Sequence, residues 1–164
     1  MNVRCAHPEE AQVAAEILDE ATAFVATLGF PEWPTPFPVD ELAANIERGE
    51  LYLAELVGEI VGTFTLLWED PTFWGKQPPV AVYVHKLAIR RRFAGRGLGA
   101  ALVDWVGEQA AAAGRKFIRL DCLRADAGIR AYYERLGFEH RGDLVHPRFA
   151  AALYQRSVDG PNML

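Results

Sequence analysis

Residues 85–106 read HKLAIRRRFAGRGLGAALVDWV, a strand-like run followed by a basic turn, three alternate glycines and a helix-forming segment. The run belongs to a strand predicted over 80–89, rich in Val, Tyr and Ile. The helix is predicted over 98–113: Leu98, Ala101, Leu102, Trp105 and Val106 share one face, and Gly114 ends it. Between them, Gly95, Gly97 and Gly99 present no Cβ atoms, so an anion can approach the backbone closely. N–H groups at the start of the following helix have no carbonyl partner and point outward. Arg90, Arg91, Arg92 and Arg96 add positive potential. The combination reads as a pyrophosphate cradle.

Two other glycine-loop chemistries compete for these residues. Gly95-x-Gly97-x-x-Ala100 also satisfies the dinucleotide fingerprint, with Asp121 about twenty residues on at a strand end. In that fold the strand runs straight into the glycines, whereas here residues 90–93 intervene, and too little chain follows Asp121 for a second mononucleotide-binding half. A dinucleotide-binding oxidoreductase is therefore the weaker reading. The ATP-binding P-loop is excluded more simply, because Gly99 is followed by Ala100 and no GK[ST] occurs.

Working outward, residues 8–28 carry Ala14, Ile17, Leu18, Ala21, Phe24, Val25 and Leu28 at helical spacing, with Pro8 and two glutamates suited to a first turn and Gly29 to the end. FPEWPTPFP at 30–38 holds four prolines and is expected to be an ordered loop, its Phe30, Trp33 and Phe37 filling core or lining a pocket. A short helix is predicted at 39–48, then a hairpin of strands 51–56 and 60–68 turning near Gly58. The loop after Glu69-Asp70-Pro71 closes it. Further on, a strand is predicted over 116–122, a helix over 126–136 with Asp126 at its N-cap and Gly137 past its end, and two last strands near 138–141 and 151–158.

Through its glycine loop and its 126–138 segment together, the chain resembles the GNAT superfamily of acyl-CoA-dependent N-acetyltransferases. Leu87-Ala88-Ile89 and Ala94-Gly95-Arg96-Gly97-Leu98-Gly99 resemble its strand and Arg/Gln-x-x-Gly-x-Gly/Ala loop, and residues 126–138, DAGIRAYYERLGF, look like its second helix. Three positions depart from the family pattern: Ala94 for Arg or Gln, Arg91 for Pro, and Asp126 for Asn. The resemblance implies an α/β fold of α+β type, a mixed sheet of about six or seven strands flanked by about four helices, as one N-acetyltransferase domain over 1–164 with its CoA-binding core at about 80–138. It also implies that the central strands splay, so that cofactor and acceptor enter opposite ends of one cleft. The co-substrate would be acetyl-CoA. Leu87, Ala88 and Ile89 would pair with its pantetheine arm, and Arg92, Ala94, Gly95, Arg96, Gly97, Leu98, Gly99 and Ala100 would hold its phosphates. Asp126 and Tyr133 complete the implied cofactor contacts, with Tyr133 as the acid for the departing thiolate.

Composition sets the partners. The chain has 164 residues and a net charge of −5, suits one domain, and lacks a signal-peptide core and any apolar run long enough to span a membrane, so a cytoplasmic protein is expected. Cys5 and Cys122 form no CxxC, so neither a disulfide framework nor a metal is expected. Residues 1–84 hold three Lys/Arg against fourteen Asp/Glu, whereas residues 85–141 hold twelve against six. A basic region inside an acidic chain suits a compact polyanion such as CoA better than nucleic acid, and membrane binding is not expected. A homodimer is compatible with the sequence.

Acyl transfer to an amine needs a base, because an amine of pKa ~10 is protonated at neutral pH. His85, Glu69 and Asp70 are the candidates, in that order, and His85 is equally readable as a hydrogen-bonded structural residue. The acidic N-terminal part, with Trp33, Phe37, Phe73 and Trp74 as apolar or cation–π walls, is where a small amine or amino-acid-like acceptor is expected. The second class of function is a CoA-binding regulatory module without catalysis.

Overall fold

Alternating residues around Gly58 become a hairpin, strands β2 (Leu51–Leu56) and β3 (Glu59–Leu67), because Val57 and Gly58 both take positive φ, 52° and 75°, as a two-residue turn matched to strand twist requires. This computed structural model describes residues 1–159. Its strands form one mixed seven-stranded sheet in the order β1-β2-β3-β4-β5-β7-β6, so the predicted fold class holds. Five α-helices accompany it among the described residues: α1 (Ala11–Thr27), α2 (Val39–Glu47), α3 (Pro71–Trp74), α4 (Leu98–Ala112) and α5 (Ala127–Arg135). None is long and apolar enough to cross a membrane.

The described residues fall into two compact units, the first comprising Met1–Leu66 and Lys86–Leu102 and the second Leu67–His85 with the chain from Val103 onward. In the first, α1 buries Ala14, Ile17 and Leu18 against Leu42 of α2 and Leu51 and Leu53 of β2. Truncating one such leucine to alanine typically costs ~2–5 kcal/mol. Phe37 is 3% exposed and Trp33 packs on the same cluster, so these two aromatics are core. A strand absent from the sequence reading, β1 (Asn2–Cys5), pairs antiparallel with β2. Arg4 fastens it by reaching both carboxylate oxygens of Glu10 at 2.8 Å and Glu55 at 2.8 Å. Residues 8–10, predicted as the first turn of α1, are a separate 3-10 turn, with the His7 N–H donating to Glu10 Oε1.

Close approach decides Gly62. A Cβ there would lie 2.7 Å from Ile89 Cδ1 and 3.1 Å from the Ala88 carbonyl oxygen, so only glycine lets β3 sit this near the 86–89 stretch of β4 (Ala81–Ile89).

In the second unit, β4 pairs in parallel with β5 (Phe117–Leu123) over Ala81↔Phe117, Val82↔Ile118 and Tyr83↔Arg119. β5 then pairs antiparallel with β7 (Phe149–Ser157), and β7 with β6 (Glu139–His146), a longer hairpin than predicted. Tyr154 of β7 is fully buried; its hydroxyl accepts from Arg130 Nε at 3.0 Å and donates to Glu134 Oε1 at 2.9 Å, docking α5. Residues 71–74, predicted as loop, form the helical turn α3, because Asp70 Oδ1 accepts from the Phe73 N–H at 3.4 Å and Pro71 occupies the first position.

Candidate active site

The glycine loop takes the conformation its residues allow. Gly95 and Gly97 have φ of 77° and 75°, values that side chains with a Cβ rarely adopt. A Cβ built on either would meet nothing within 4 Å, so the space over the loop is open. Ala101 N–H bonds the Gly97 carbonyl at 3.0 Å as the first rung of α4, leaving the N–H groups of Leu98, Gly99 and Ala100 ahead of the helical ladder. Helix-start donors outside the ladder, next to the open space over Gly95 and Gly97, fit a pyrophosphate. Ala94 is exposed and ends the 3-10 turn Arg91–Phe93; its N–H donates to Arg91 O at 3.1 Å.

The arginines divide differently from the sequence reading. Arg90 bonds the Ile60 carbonyl at 3.0 Å and lies 3.5 Å from Glu20, whose other oxygen accepts from the Arg91 backbone N–H. Arg91 also stacks its guanidinium 3.5 Å over the Phe24 ring. Arg92 pairs with Glu59. Arg96 touches only the Phe93 ring, at 5.1 Å, and has no acidic partner among the described residues. Acidic side chains of the first unit thus pair with the Arg90 and Arg92 guanidiniums and hold the Arg91 backbone, and among the described residues the guanidiniums of Arg91 and Arg96 have no acidic partner.

Just upstream, Lys86 has φ 55° inside strand β4. For a residue with a Cβ this left-handed conformation costs ~1–2 kcal/mol, and it interrupts the pleat between His85 and Leu87. Three contacts hold it: Lys86 Nζ lies 3.1 Å from Glu41 Oε1, donates to Asn45 Oδ1 at 3.3 Å and stands 5.8 Å over the Phe37 ring. Strain kept in place by surrounding contacts is typical of functional backbone. Leu87, Ala88 and Ile89 follow directly, with Ala88 buried at 5%.

In the second unit, His85 stands between two carboxylates. Its Nε2 lies 2.8 Å from Asp70 Oδ2, and Nδ1 lies 3.5 Å from Asp121 Oδ1. Asp70 is 6% exposed, its other oxygen capping α3. An ionised carboxylate only accepts, so Nε2 is the nitrogen that donates to Asp70, and in the neutral form of the ring it is Nδ1 that offers a lone pair. The Phe73 ring tilts against the imidazole at 5.4 Å. Glu69 is exposed and lies outside this group. Burial pushes the Asp121 carboxyl up to about 6, His85 opposing and Asp70 adding to the rise. The three side chains bring one ligand atom each within 4.8 Å, a spacing that could also hold a metal ion.

Arg119 was passed over in the sequence, and Asp121 was weighed there only as the acid of the weaker dinucleotide reading. Parallel register sets Tyr83 opposite Arg119, so two residues on, His85 and Asp121 share the same face. Two charged residues, Arg119 and Asp121, inside the otherwise apolar strand FIRLDCL were the available signal. Arg119, 7% exposed, donates to Gln155 Oε1 at 2.9 Å and Tyr83 Oη at 2.9 Å, with Trp74 stacked at 4.8 Å. Trp74 therefore does serve as a cation–π wall, but for a protein arginine.

Asp126 is the N-cap of α5, its Oδ1 accepting from the Ile129 N–H at 3.1 Å. Tyr133, one helical step past half-buried Tyr132, is 8% exposed and meets the Phe138 ring edge-on at 5.7 Å. Burial raises the Tyr132 phenol above its ordinary value.

The profile of the acetyltransferase (GNAT) family matches residues 14–138, three quarters of the chain and parts of both units. The chain belongs to the GNAT family. This GNAT chain is 28% identical over 143 residues to YesJ, an uncharacterized N-acetyltransferase of Bacillus subtilis (strain 168), covering 82% of this chain and 79% of that one. It also shares its fold with a GNAT-family acetyltransferase from Listeria monocytogenes 4b F2365 (TM-score 0.78, 23% identity, 95% and 94% of the two chains covered). A third relative in fold is yncA from Salmonella typhimurium, solved with its cofactor acetyl-CoA (TM-score 0.70, 18% identity, 97% and 94% covered). The GNAT chain is accordingly an acyltransferase.

Proposed function

We propose that this enzyme transfers the acetyl group of acetyl-CoA to a primary amine of a small-molecule or amino-acid-like acceptor, by direct attack in a ternary complex. The whole chain acts as a single N-acetyltransferase domain in the cytoplasm. The observation that carries the reading is the pairing of His85 with Asp70: Nε2 lies 2.8 Å from Asp70 Oδ2, which leaves Nδ1 as the nitrogen to serve as base, in the strand that leads two residues later into Leu87. Support for the donor comes from the open glycine loop and from the fold shared with a protein solved with acetyl-CoA.

Acetyl-CoA supplies an activated thioester carbonyl. Backbone N–H groups of Leu98, Gly99 and Ala100, with Arg96, hold its phosphates. His85 removes a proton from the acceptor ammonium through Nδ1, and Asp70 stabilises the imidazolium that results. The freed amine forms a bond to the carbonyl carbon. The C–S bond then breaks, and Tyr133 donates its hydroxyl proton to the leaving thiolate. The tyrosine recovers a proton from the nitrogen of the new amide, so one proton per turnover leaves through His85.

A panel of primary amines assayed for acetyl-CoA-dependent release of free CoA tests the reading. At least one amine is expected to release CoA, and His85→Gln is expected to lower that rate by ~10² to 10⁴. Release of no CoA with any amine, or a His85→Gln variant as fast as the wild type, overturns it.

A further inference from the structure

Among the described residues only Val57 and Lys86 combine a Cβ with a positive φ. Val57 belongs to the hairpin turn, which requires it; Lys86 stands inside β4, where no turn does. Its ammonium has three partners: Glu41 Oε1 at 3.1 Å, Asn45 Oδ1 at 3.3 Å and the face of the Phe37 ring at 5.8 Å. Asn45 is itself fixed, being 5% exposed and donating through Nδ2 to Glu50 Oε2 at 2.9 Å, so its amide turns the oxygen to the lysine. Three partners on a side chain 16% exposed leave the ammonium no donor for a ligand. What the clamp holds is the backbone.

The residues that follow are sorted by edge. Arg90 N–H donates to the Val61 carbonyl at 2.8 Å, and a Cβ on Gly62 would stand 3.1 Å from Ala88 O, so residues 88 and 90 turn their backbone groups toward β3. Alternation with period two then turns the N–H groups of Leu87 and Ile89 to the opposite edge of the strand. A kink of one residue shifts that alternation by one, so the conformation at 86 decides which edge the Leu87 N–H serves.

We infer that Lys86 is a positioning residue: clamped by Glu41, Asn45 and Phe37, its side chain holds the left-handed backbone that turns the Leu87 N–H to the edge of β4 where the thioester of acetyl-CoA lies. The inference rests on the acetyl-CoA reading and deepens it. A donor fixed before the substrate arrives polarises a carbonyl without reorganising. Glycine would reach the same φ freely but would reach others as freely, whereas a clamped lysine keeps one conformation.

The test uses the full chain and acetyl-CoA labelled with carbon-13 at the thioester carbonyl, whose resonance moves as hydrogen bonding polarises it. Bound to the wild type, the carbonyl is expected to shift downfield of its free value. Lys86→Ala keeps a Cβ and loses the clamp, and about half or more of the shift is expected to disappear. Lys86→Gly reaches φ 55° without a clamp and is expected to restore most of what alanine loses. With any amine the panel yields, kcat should follow the same order, Lys86→Ala falling about tenfold to 10²-fold below the wild type. Glu41→Gln weakens the clamp from α2 without touching β4 and stands in should Lys86→Ala fail to fold; its effect is expected to vanish in the Lys86→Gly background, where there is no clamp to weaken. An unshifted carbonyl in the wild type, a Lys86→Ala complex like the wild type, or alanine and glycine variants reduced alike would overturn the inference, the last by showing that the ammonium itself acts. Donor and acceptor readings fail separately: a wild type that polarises the bound carbonyl, loses this with alanine and regains it with glycine, yet releases no CoA with any amine, keeps the inference and loses the transfer to an amine.

Discussion

His85 Nε2 donates to Asp70 Oδ2 at 2.8 Å, and this bond determines which nitrogen the imidazole turns toward Asp121. Asp70 is a positioning residue in this account, acting through the ring it orients. Asp70→Asn retains an oxygen to cap α3 but can orient the ring with either nitrogen protonated. Turnover is expected to fall by ~10² or more with the KM for acetyl-CoA little changed. A purely structural Asp70 would instead lower stability and leave kcat per folded enzyme intact, so kcat and thermal midpoint measured together decide between them.

Asp121 should make stability depend on pH in an unusual direction. Burial raises its folded-state pKa from 3.8 to about 6, so the native chain binds this proton more tightly than the unfolded chain does. The stabilisation is therefore complete below about pH 4 and is lost as pH rises through 6, a loss of about 3 kcal/mol for a shift of about two. Asp121→Asn cannot ionise. It is expected to be more stable than wild type at pH 7.5, with the advantage vanishing near pH 4, in denaturant titrations at both values. A variant less stable at both would contradict the burial-driven rise of the Asp121 pKa.

Much of this was legible in the chain. Strand, glycine loop and helix across 80–113 follow from periodicity and glycine placement, and the hairpin turn at Gly58 lies where the alternation breaks. Strand β1 was not legible, because four residues at a sheet edge carry too little pattern; Arg4 fastening them to Glu10 and Glu55 is a tertiary fact. Helix α3 was hidden in a proline- and aromatic-rich stretch that reads as loop until Asp70 is seen capping it. The partnering of Arg90, Arg91 and Arg92 with Glu20 and Glu59 was equally invisible, since residues some seventy and thirty positions apart meet only after folding. Asp121 belongs to the same class: its role depends on strand register, which local sequence does not encode.

The cradle is tested at Gly97. Its φ of 75° and the open space above it mean that Gly97→Val would both strain the loop and fill the room a phosphate needs. Acetyl-CoA and CoA are expected to raise the melting temperature of the wild type and not of the variant, and NAD to raise neither. A normal CoA response in Gly97→Val would remove the loop from the cofactor site, and equal stabilisation by NAD would favour a dinucleotide.

Tyr133 and Tyr132 are adjacent on α5 and point about 100° apart, so a loss of hydroxyl at each separates chemistry from packing. Tyr133→Phe is expected to lower kcat by ~10² to 10⁴ with CoA affinity retained, while Tyr132→Phe stays near wild type. Wild-type turnover in Tyr133→Phe would leave thiolate protonation to water or another donor.

Direct attack in a ternary complex is the central claim, and it is tested most directly by following a label on the acetyl group of acetyl-CoA. Incubated with the cofactor alone, the enzyme should release no burst of CoA and carry no label; on addition of the amine identified by the panel, CoA and labelled amide should appear in equal amounts. A CoA burst without amine, with label fixed to the protein at Cys122, Cys5 or any other side chain, would contradict direct transfer and require an acyl-enzyme instead.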